Sequence, residues 1–272
     1  MSTLNETYTL NTGAKIPKIG FGTWQIPNGD DAYNSVLIAL KNGYRHIDTA
    51  RVYGNEESVG RAIADSGVAR EDIFLTTKLP AEIKNYDGAV EAFETSIATL
   101  GVEYVDLYLI HAPWPWSEQG ADYTEGNIEV WKAMEEFHKS GRAKAIGVSN
   151  FNVSDIQAIL DNGTVKPAVN QIKFYIGSTQ EEVTSFCQSN DILIEAYSPL
   201  ATGRILNNPE VQQLAEKYGR TVAQISLRYT LQRGTVTLPK STHEEYIIQN
   251  ADLDFEIDAV DMAYLKDLQD IA

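Results

Sequence analysis

Short apolar runs alternate with segments of helical spacing along this chain from Ile19 onward. The apolar runs predict strands near residues 19–22, 44–48, 72–78, 104–110, 143–148, 168–172, 192–197 and 235–239. The intervening patterns predict helices near 30–42, 56–66, 87–100, 126–140, 153–161, 179–189, 221–232 and 243–249. Because eight strand–helix alternations follow one another without a linker, the pattern predicts one closed parallel barrel, a single domain over residues 1–272.

Three further segments lie outside the repeat. Residues 6–17 predict a β-hairpin that covers the barrel floor, and extra helices are expected near 208–218 and 258–269. The predicted fold is therefore a (β/α)8 TIM barrel with an N-terminal β-hairpin and two extra helices, and 272 residues is close to the usual length of about 250. Capping boxes are predicted at Ser178–Glu181 and Thr242–Glu245, and the acids Glu56 and Glu57 are expected only to begin a helix.

A doubly wound open sheet is the alternative architecture. That fold wants a glycine-rich dinucleotide turn between its first strand and helix. Gly20 and Gly22 supply two of the glycines, but Gln25 stands where the third belongs, and no helix follows at once. The barrel is therefore favoured.

The net charge of −16 argues against nucleic-acid and anionic-membrane partners, which require a basic face. No apolar run is long enough to cross a bilayer, and the polar, acidic first residues do not resemble a signal peptide. The single cysteine, Cys187, cannot form an internal disulfide and is expected to pack in a helix. We therefore expect a cytoplasmic protein.

Four polar residues stand at or just after the ends of three consecutive predicted strands: Asp48, Tyr53, Lys78 and His111. Each alone has an ordinary explanation, such as a turn residue or a solvated charge. In a parallel barrel, however, the carboxyl ends of all strands meet at one rim, where active sites lie. We therefore expect these four side chains to form one site.

The chemistry of these residues indicates proton transfer. A phenol ordinarily holds its proton up to a pH of about 10, and a nearby ammonium lowers that pKa. Lys78 can supply the ammonium, Asp48 can keep it charged, and His111 can donate a hydrogen bond to a substrate oxygen. Tyr53 would then be a general acid facing a carbonyl group. Because no side chain donates a hydride, a nicotinamide cofactor is implied.

Several segments in order resemble the aldo-keto reductases, over about residues 10–255. They are Gly43–Glu57, the strand ends at Lys78 and His111, Gly147–Phe151, Asn170–Gln171, Ala196–Leu200 and Leu238–Ser241. The resemblance implies reversible reduction of aldehydes and ketones by NADPH, with the proton coming from Tyr53. It is similar to the short microbial members that reduce methylglyoxal and 2,5-diketo-gluconate, so small aldehydes, α-dicarbonyls or keto-sugars are the expected substrates.

The resemblance also implies cofactor contacts. Ser149, Asn150 and Gln171 would hold the carboxamide, Tyr197 would stack on the nicotinamide, and Gly22, Thr23 and Trp24 would line the first loop near the reacting end. Ser198, Leu200 and Gly203–Leu206 would cover the pyrophosphate; Lys240, Ser241 and Thr242 would hold the adenosine ribose phosphate, with Asn250 near the adenine. The capping box predicted at Thr242 supports an anion there, because helix N-termini favour negative charge.

Two of the departures from the family pattern bear directly on ligand binding. Tyr246 stands where the family commonly has an arginine that clamps the 2′-phosphate, which leaves NADH use open. Ala112 replaces the tryptophan that often follows His111, so Trp114 or Trp116 would supply the aromatic wall. The expected substrate contacts are therefore Trp24, Tyr53, His111 and Trp114.

Two other functions are open to this sequence. A Schiff-base aldolase or lyase would use Lys78 as a nucleophile, but this needs a neutral amine, and Asp48 favours the charged form. A non-catalytic cofactor-binding regulatory subunit would not need Tyr53 or Lys78. No metal site is expected, since His46, His138 and His243 are scattered. The family's commonest state is a monomer.

Overall fold

The computed structural model describes residues 2–269, and it begins with a hairpin beneath a ring of strands. In the hairpin, β1 (Thr7–Thr9) pairs antiparallel with β2 (Lys15–Pro17). The ring consists of eight parallel strands: β3 (Phe21–Gly22), β4 (His46–Asp48), β5 (Phe74–Leu79), β6 (Val105–Ile110), β7 (Ala143–Ser149), β8 (Val169–Lys173), β9 (Leu193–Tyr197) and β10 (Val236–Leu238). The barrel predicted from the sequence is confirmed.

The first and last strands meet and nearly close the barrel. Ile19 forms a parallel bridge with Thr237, whose carbonyl oxygen accepts a hydrogen bond of 2.9 Å from the Gly20 amide. The Gly22 amide donates another of 2.9 Å to Pro239. We refer to this junction between β3 and β10 as the seam.

Helices cover the outside of the barrel. They are α1 (Asp30–Lys41), α2 (Glu56–Asp65), α3 (Tyr86–Leu100), α4 (Thr124–Lys139), α5 (Val153–Asn162), α6 (Glu181–Ser189), α7 (Pro209–Tyr218), α8 (Val222–Gln232), α9 (Glu244–Ala251) and α10 (Ala259–Asp267). The two extra helices are α7, which precedes α8, and α10 at the end. Within the described residues, no helix has both the length and the apolar character needed to cross a bilayer.

The alternation of side chains along each strand separates two apolar cores. Outward residues such as Ile47 and Leu75 pack against the helices, whereas inward residues such as Leu107 and Val169 fill the barrel. Leu10 and Ile16 of the hairpin join the inner core, and so cover one end of it. The polar inward residues share this inner face of the barrel with the apolar ones, but lie closer to the carboxyl ends of the strands.

The predicted capping box at Ser178–Glu181 is wrong. The N-cap residue of α6 is Gln180, in a left-handed conformation with φ of 46°, and its side chain makes no capping bond. Ser178 instead exchanges backbone hydrogen bonds with Tyr175, of 2.9 and 3.1 Å, which hold it in a turn. Capping boxes occur where none was predicted, at Asn152–Asp155 and Thr221–Gln224.

Helix α2 approaches α3 so closely that only glycine fits at position 60. A Cβ atom built there would lie 2.0 Å from the Leu100 carbonyl oxygen. We expect Gly60→Ala to lower the free energy of unfolding by about 1–2 kcal/mol, because overpacking against a backbone atom costs up to about 3 kcal/mol and helix propensity returns about 1 kcal/mol. Urea denaturation measures this loss.

The control for this prediction is Gly88→Ala, in the first turn of α3. There the nearest atoms, at 3.0 Å, are side-chain atoms of Ile83 and of Asn85, the N-cap residue of α3, and a shift of a few tenths of an ångström would relieve the contact. We expect a change within about 0.5 kcal/mol, as at ordinary surface positions. Equal losses in the two variants would contradict the close approach at Gly60.

Candidate active site

An ion pair lies at the centre of the site, inside the barrel. The Lys78 side chain is fully buried, and its Nζ donates to both carboxylate oxygens of Asp48, at 2.7 and 2.8 Å, and to the Thr49 carbonyl at 2.9 Å. Burial is the largest single influence and lowers the pKa of Lys78, but the charge and hydrogen bonds of Asp48, together with the other acidic neighbours, outweigh it, and the net pKa is raised. Lys78 is therefore an ammonium at neutral pH.

Tyr53 lies above this pair, on a 3₁₀ turn (Arg51–Tyr53) that follows β4. Its hydroxyl oxygen is 3.4 Å from Lys78 Nζ, and its ring meets that of His111 edge to face, with centroids 5.6 Å apart. Burial raises the pKa of Tyr53, whereas the charge and hydrogen bond of Lys78 pull it down. The lowering expected from Lys78 is present, but burial is larger, so the phenol keeps its proton at neutral pH.

His111 follows β6 and is buried beside Tyr53. Burial and the Lys78 charge lower the pKa of its imidazole to about 3, so the ring is neutral. Its ring contacts Trp116 edge to face at 5.5 Å, and Trp116 in turn contacts Trp114 at 5.2 Å. Of the two candidates for the aromatic wall, Trp116 is thus the one that meets His111.

The residues predicted to hold the carboxamide form one network across β7, β8 and β9. Ser149 Oγ donates to the Gln171 carbonyl oxygen at 2.8 Å, and Asn150 Nδ2 donates to Ser149 Oγ and to the His111 carbonyl oxygen, both at 3.1 Å. The Tyr197 hydroxyl donates to Asn150 Oδ1 at 2.7 Å. Asn150 reaches these partners from a left-handed conformation, with φ of 60°.

This network fits a carboxamide group. Gln171 Nε2 donates to the carboxyl groups of Asp48, at 2.8 Å, and Glu195, at 3.0 Å, so both amide hydrogens are used. Its Oε1 remains as an acceptor, and Ser149 Oγ has a second lone pair. These two acceptors can receive the two hydrogens of a ligand amide.

The first loop is anchored to β4. Thr23 is buried, and its amide and hydroxyl both donate to the Asp48 carbonyl oxygen, at 3.0 and 2.9 Å. Buried Asn55, which the sequence analysis did not single out, donates to the Thr23 carbonyl oxygen at 3.0 Å. Trp24 follows and is 45% exposed, so this anchor presents its ring at the rim.

The predicted pyrophosphate segment follows β9 in a strained conformation. Ser198, Ala201 and Thr202 all have positive φ, of 51°, 50° and 56°. Leu200 is half-buried, and Gly203 continues the left-handed path into a 3₁₀ segment that ends at Asn207. Such strain clusters at ligand clamps and switch regions, so the segment stays a candidate for covering a ligand.

The predicted adenosine site lies beyond the seam, around the start of α9. Lys240 and Thr242 are exposed, Tyr246 is 48% exposed, and Asn250 is buried. The capping box predicted at Thr242 is wrong: the N-cap residue is His243, without a side-chain cap, and its amide donates to Ser241 Oγ at 3.0 Å. Ser241, rather than Thr242, therefore supplies the side-chain oxygen that bonds the backbone just before this helix.

Two buried carboxyl groups close to the site were missed by the sequence analysis. Glu56, expected only to begin a helix, is buried and accepts a hydrogen bond of 2.6 Å from Thr77 Oγ1. Glu195 is fully buried inside the barrel, against Gln171 and His46. A lone acid in the apolar run Leu193–Tyr197 was the available signal. Within residues 2–269, no three His, Cys, Asp or Glu side chains are placed to hold a metal ion.

The chain is similar to known proteins over nearly its whole length. The sequence profile of the aldo/keto reductase family matches residues 18–270. The chain is 44% identical over 262 residues to a glyoxal reductase of Bacillus subtilis, covering 96% of this chain and 92% of that protein. It is 42% identical to an aldehyde reductase of Saccharomyces cerevisiae, covering 90% of this chain and 85% of that one.

Solved structures share the architecture. An aldo/keto reductase from Brucella melitensis is 44% identical, with a TM-score of 0.90 over 96% of this chain and 98% of its own. An aldo-keto reductase from Bombyx mori in complex with NADP is 36% identical, with a TM-score of 0.88 over 98% of this chain and 94% of its own.

Proposed function

Because the chain belongs to the aldo/keto reductase family, we propose that it reduces small aldehydes and α-dicarbonyls with NADPH, and that Tyr53 is the proton donor. The observation that carries the proposal is the position of Lys78. Its ammonium is held by Asp48 at 2.7 Å, and lies 3.4 Å from the Tyr53 hydroxyl. A fixed positive charge beside a phenol stabilises the phenolate that remains after proton transfer.

The chain's own residues handle the proton and the developing charge. The bound nicotinamide would supply the hydride. Tyr53 holds its proton at neutral pH because burial raises its pKa, and Lys78 eases the loss of that proton as charge develops on the carbonyl oxygen. Neutral His111 can donate a second hydrogen bond to that oxygen. Asp48 keeps Lys78 charged throughout.

The same geometry argues against the Schiff-base alternative. A nucleophilic lysine must be neutral and free to reach its substrate. Lys78 is buried, its pKa is raised, and its hydrogens are directed at Asp48, Thr49 and Tyr53. The position of Lys78 therefore suits an electrostatic role.

The rim supports a small, uncharged substrate. Exposed apolar side chains surround the mouth of the site: Trp24 is 45% exposed, Val52 47% and Trp116 41%. A net charge of −16 also disfavours anionic substrates. Two relatives are named for reduction of glyoxal and of aldehydes, which fits this chemistry.

The test of the proposed function is the loss of reduced-nicotinamide absorbance with methylglyoxal, run in parallel with NADPH and NADH. We expect turnover with NADPH and a smaller rate with NADH. Turnover with neither cofactor, together with unimpaired cofactor binding in a fluorescence titration, would favour the regulatory-subunit reading.

NADPH differs from NADH by a 2′-phosphate, and the surface proposed to meet that phosphate carries little positive charge. Lys240 is exposed, Tyr246 packs edge to face on His243 at 5.7 Å, and the acids Glu244 and Glu245 occupy the first turn of α9. We expect Tyr246→Arg to tighten NADPH binding about ten-fold or more, since a hydrogen bond between charged groups contributes about 1.5–3 kcal/mol. Fluorescence titration with both cofactors measures this, and NADH affinity should change little.

The matched control is Tyr264→Arg, on α10. Tyr264 is 44% exposed, similar to Tyr246, and the substitution adds the same charge elsewhere on the surface. We expect no change in the ratio of the two affinities. If Tyr246→Arg strengthens NADH binding as much as NADPH binding, position 246 does not meet the 2′-phosphate.

A further inference from the structure

Glu195 is a carboxyl group inside the barrel that the mechanism above does not use. It lies on β9, in register with Gln171 of β8 and Val236 of β10, and is fully buried. Oε2 accepts a hydrogen bond of 3.0 Å from Gln171 Nε2, whereas Oε1 has no hydrogen-bond partner in the described part of the chain. His46 Nε2 lies 3.6 Å from Oε1.

One amide connects Glu195 to the ion pair. Gln171 Nε2 donates both to Glu195 and to Asp48 Oδ2, the latter at 2.8 Å, and Asp48 in turn holds Lys78. The positive charge of Lys78 is already balanced by Asp48. A second carboxylate here would leave the interior of the barrel with one excess negative charge, which burial makes costly.

The groups that face Glu195 favour its neutral form. His46 and Asp48 project from β4, Lys78 from β5 and Gln171 from β8, while β10 presents apolar Val236. Burial and the charge of Asp48 raise the pKa of Glu195 to about 8, although Gln171 and Lys78 lower it. Burial and Lys78 lower the pKa of His46 to about 3. The proton of this pair therefore stays on the carboxyl group.

We propose that Glu195 is a positioning residue that holds a proton at neutral pH, releases it in alkaline solution, and thereby sets how tightly Tyr53 holds its own proton. The route runs through Gln171, Asp48 and Lys78, and no contact with the substrate is involved. This role deepens the proposed function and rests on it, because it presupposes that Tyr53 exchanges a proton with the substrate.

The sign of the effect follows from charge. When Glu195 ionises, the added negative charge disfavours the Tyr53 phenolate, so the phenol holds its proton more tightly. Alcohol oxidation needs the phenolate as a base, so its rate should rise with pH as Tyr53 loses its proton. The negative charge of ionised Glu195 should move this rise to higher pH. A unit charge several ångströms away, at an effective dielectric constant of about 20, displaces a titration by about one pH unit or more.

The first test compares kcat/KM for NADP⁺-dependent oxidation of a small alcohol across pH in the wild type and Glu195→Gln. The amide has the same shape and still accepts from Gln171, but cannot ionise. We expect kcat/KM of Glu195→Gln to rise at a pH about one unit below that at which the wild-type value rises. Superimposable profiles would overturn the proposal.

Asp106→Asn provides the control for these profiles. Asp106 is another partly buried carboxyl group whose pKa is raised by burial, but it is paired with Arg70 at 2.8 Å, with no contact to the Asp48–Lys78 pair. We expect its profile to match the wild type. A displacement equal to that of Glu195→Gln would show that any lost carboxylate has this effect, and would overturn the specific role of Glu195.

The second test needs no catalysis. The pKa of Glu195 is about 8 in the folded chain, above the value of about 4.3 of an unfolded chain. Its contribution to stability is therefore complete below the pKa of the unfolded chain, is lost progressively as the pH rises to about 8, and changes little above that. We expect the urea midpoint of the wild type to fall relative to Glu195→Gln between pH 5 and pH 9, over about that window.

A constant difference between the two midpoints would overturn the proposal. Glu195→Met, neutral and of similar size, serves the same comparison if Glu195→Gln does not fold. The outcomes separate the two proposals. If Tyr53→Phe is inactive but the pH profiles coincide, only the role of Glu195 fails; if Tyr53→Phe retains turnover, the donor assignment fails, and the route from Glu195 to the reaction fails with it.

Discussion

Tyr53→Phe is expected to lower kcat for methylglyoxal reduction by about 10²–10⁴-fold, the usual contribution of general acid catalysis. The substitution removes one oxygen and leaves the ring that packs against His111 at 5.6 Å. The hydroxyl receives only a long hydrogen bond of 3.4 Å from Lys78, so the free energy of unfolding should change little. Single-turnover kinetics with bound NADPH would measure the loss.

Two comparisons make this result specific. Tyr86→Phe removes a hydroxyl that bonds Glu136 on the outside of the barrel, and should leave kcat unchanged. NADPH affinity of Tyr53→Phe should stay close to that of the wild type, because the carboxamide network does not include Tyr53. A variant that keeps more than a tenth of wild-type turnover would move the proton donor elsewhere, with His111 as the next candidate.

Lys78→Met should damage both stability and activity. The substitution leaves the carboxylate of Asp48 buried without its cation, and breaking such a pair costs about 3–5 kcal/mol. Turnover should fall at least as far as in Tyr53→Phe, because the charge that stabilises the phenolate is lost as well. Urea denaturation and the same single-turnover assay measure the two effects.

The double variant Asp48→Asn/Lys78→Met separates these effects. It removes both charges, so no uncompensated carboxylate remains, and replacing a whole buried pair is often neutral for stability. We expect it to be more stable than Lys78→Met, yet equally inactive. If activity returned together with stability, the lysine would be required for folding alone, and its proposed role beside Tyr53 would be lost.

The barrel and the four polar residues could be predicted because both follow from local patterns. Apolar runs such as Phe74–Leu79 identify strands, and parallel strands bring their carboxyl ends to one rim whatever their distance along the chain. Asp48 and Lys78 therefore meet although 30 positions separate them. The strand pattern alone, without knowledge of any other contact, was enough to predict that Asp48 and Lys78 meet.

The features that were missed depend on contacts across the barrel. Glu195 reads as one acid in a short strand, and only the closed barrel places it near His46 and Gln171. The wrong capping boxes have the opposite cause: Ser178 has the right spacing to Glu181, but a competing local turn with Tyr175 holds its backbone. Burial likewise outweighs Lys78 in setting the pKa of Tyr53, and a sequence does not state burial.

The seam gives the order in which this protein can become functional during folding. Ile19 and Thr237 come from opposite ends of the chain, so their pairing has a high sequence separation and we expect it to form late. The first loop, with Thr23, lies on one side of the seam, and Lys240 lies on the other. On the proposed cofactor assignment, a nascent or partly folded chain would have no competent nucleotide site, and ligand added during refolding would stabilise only chains whose ends have already met.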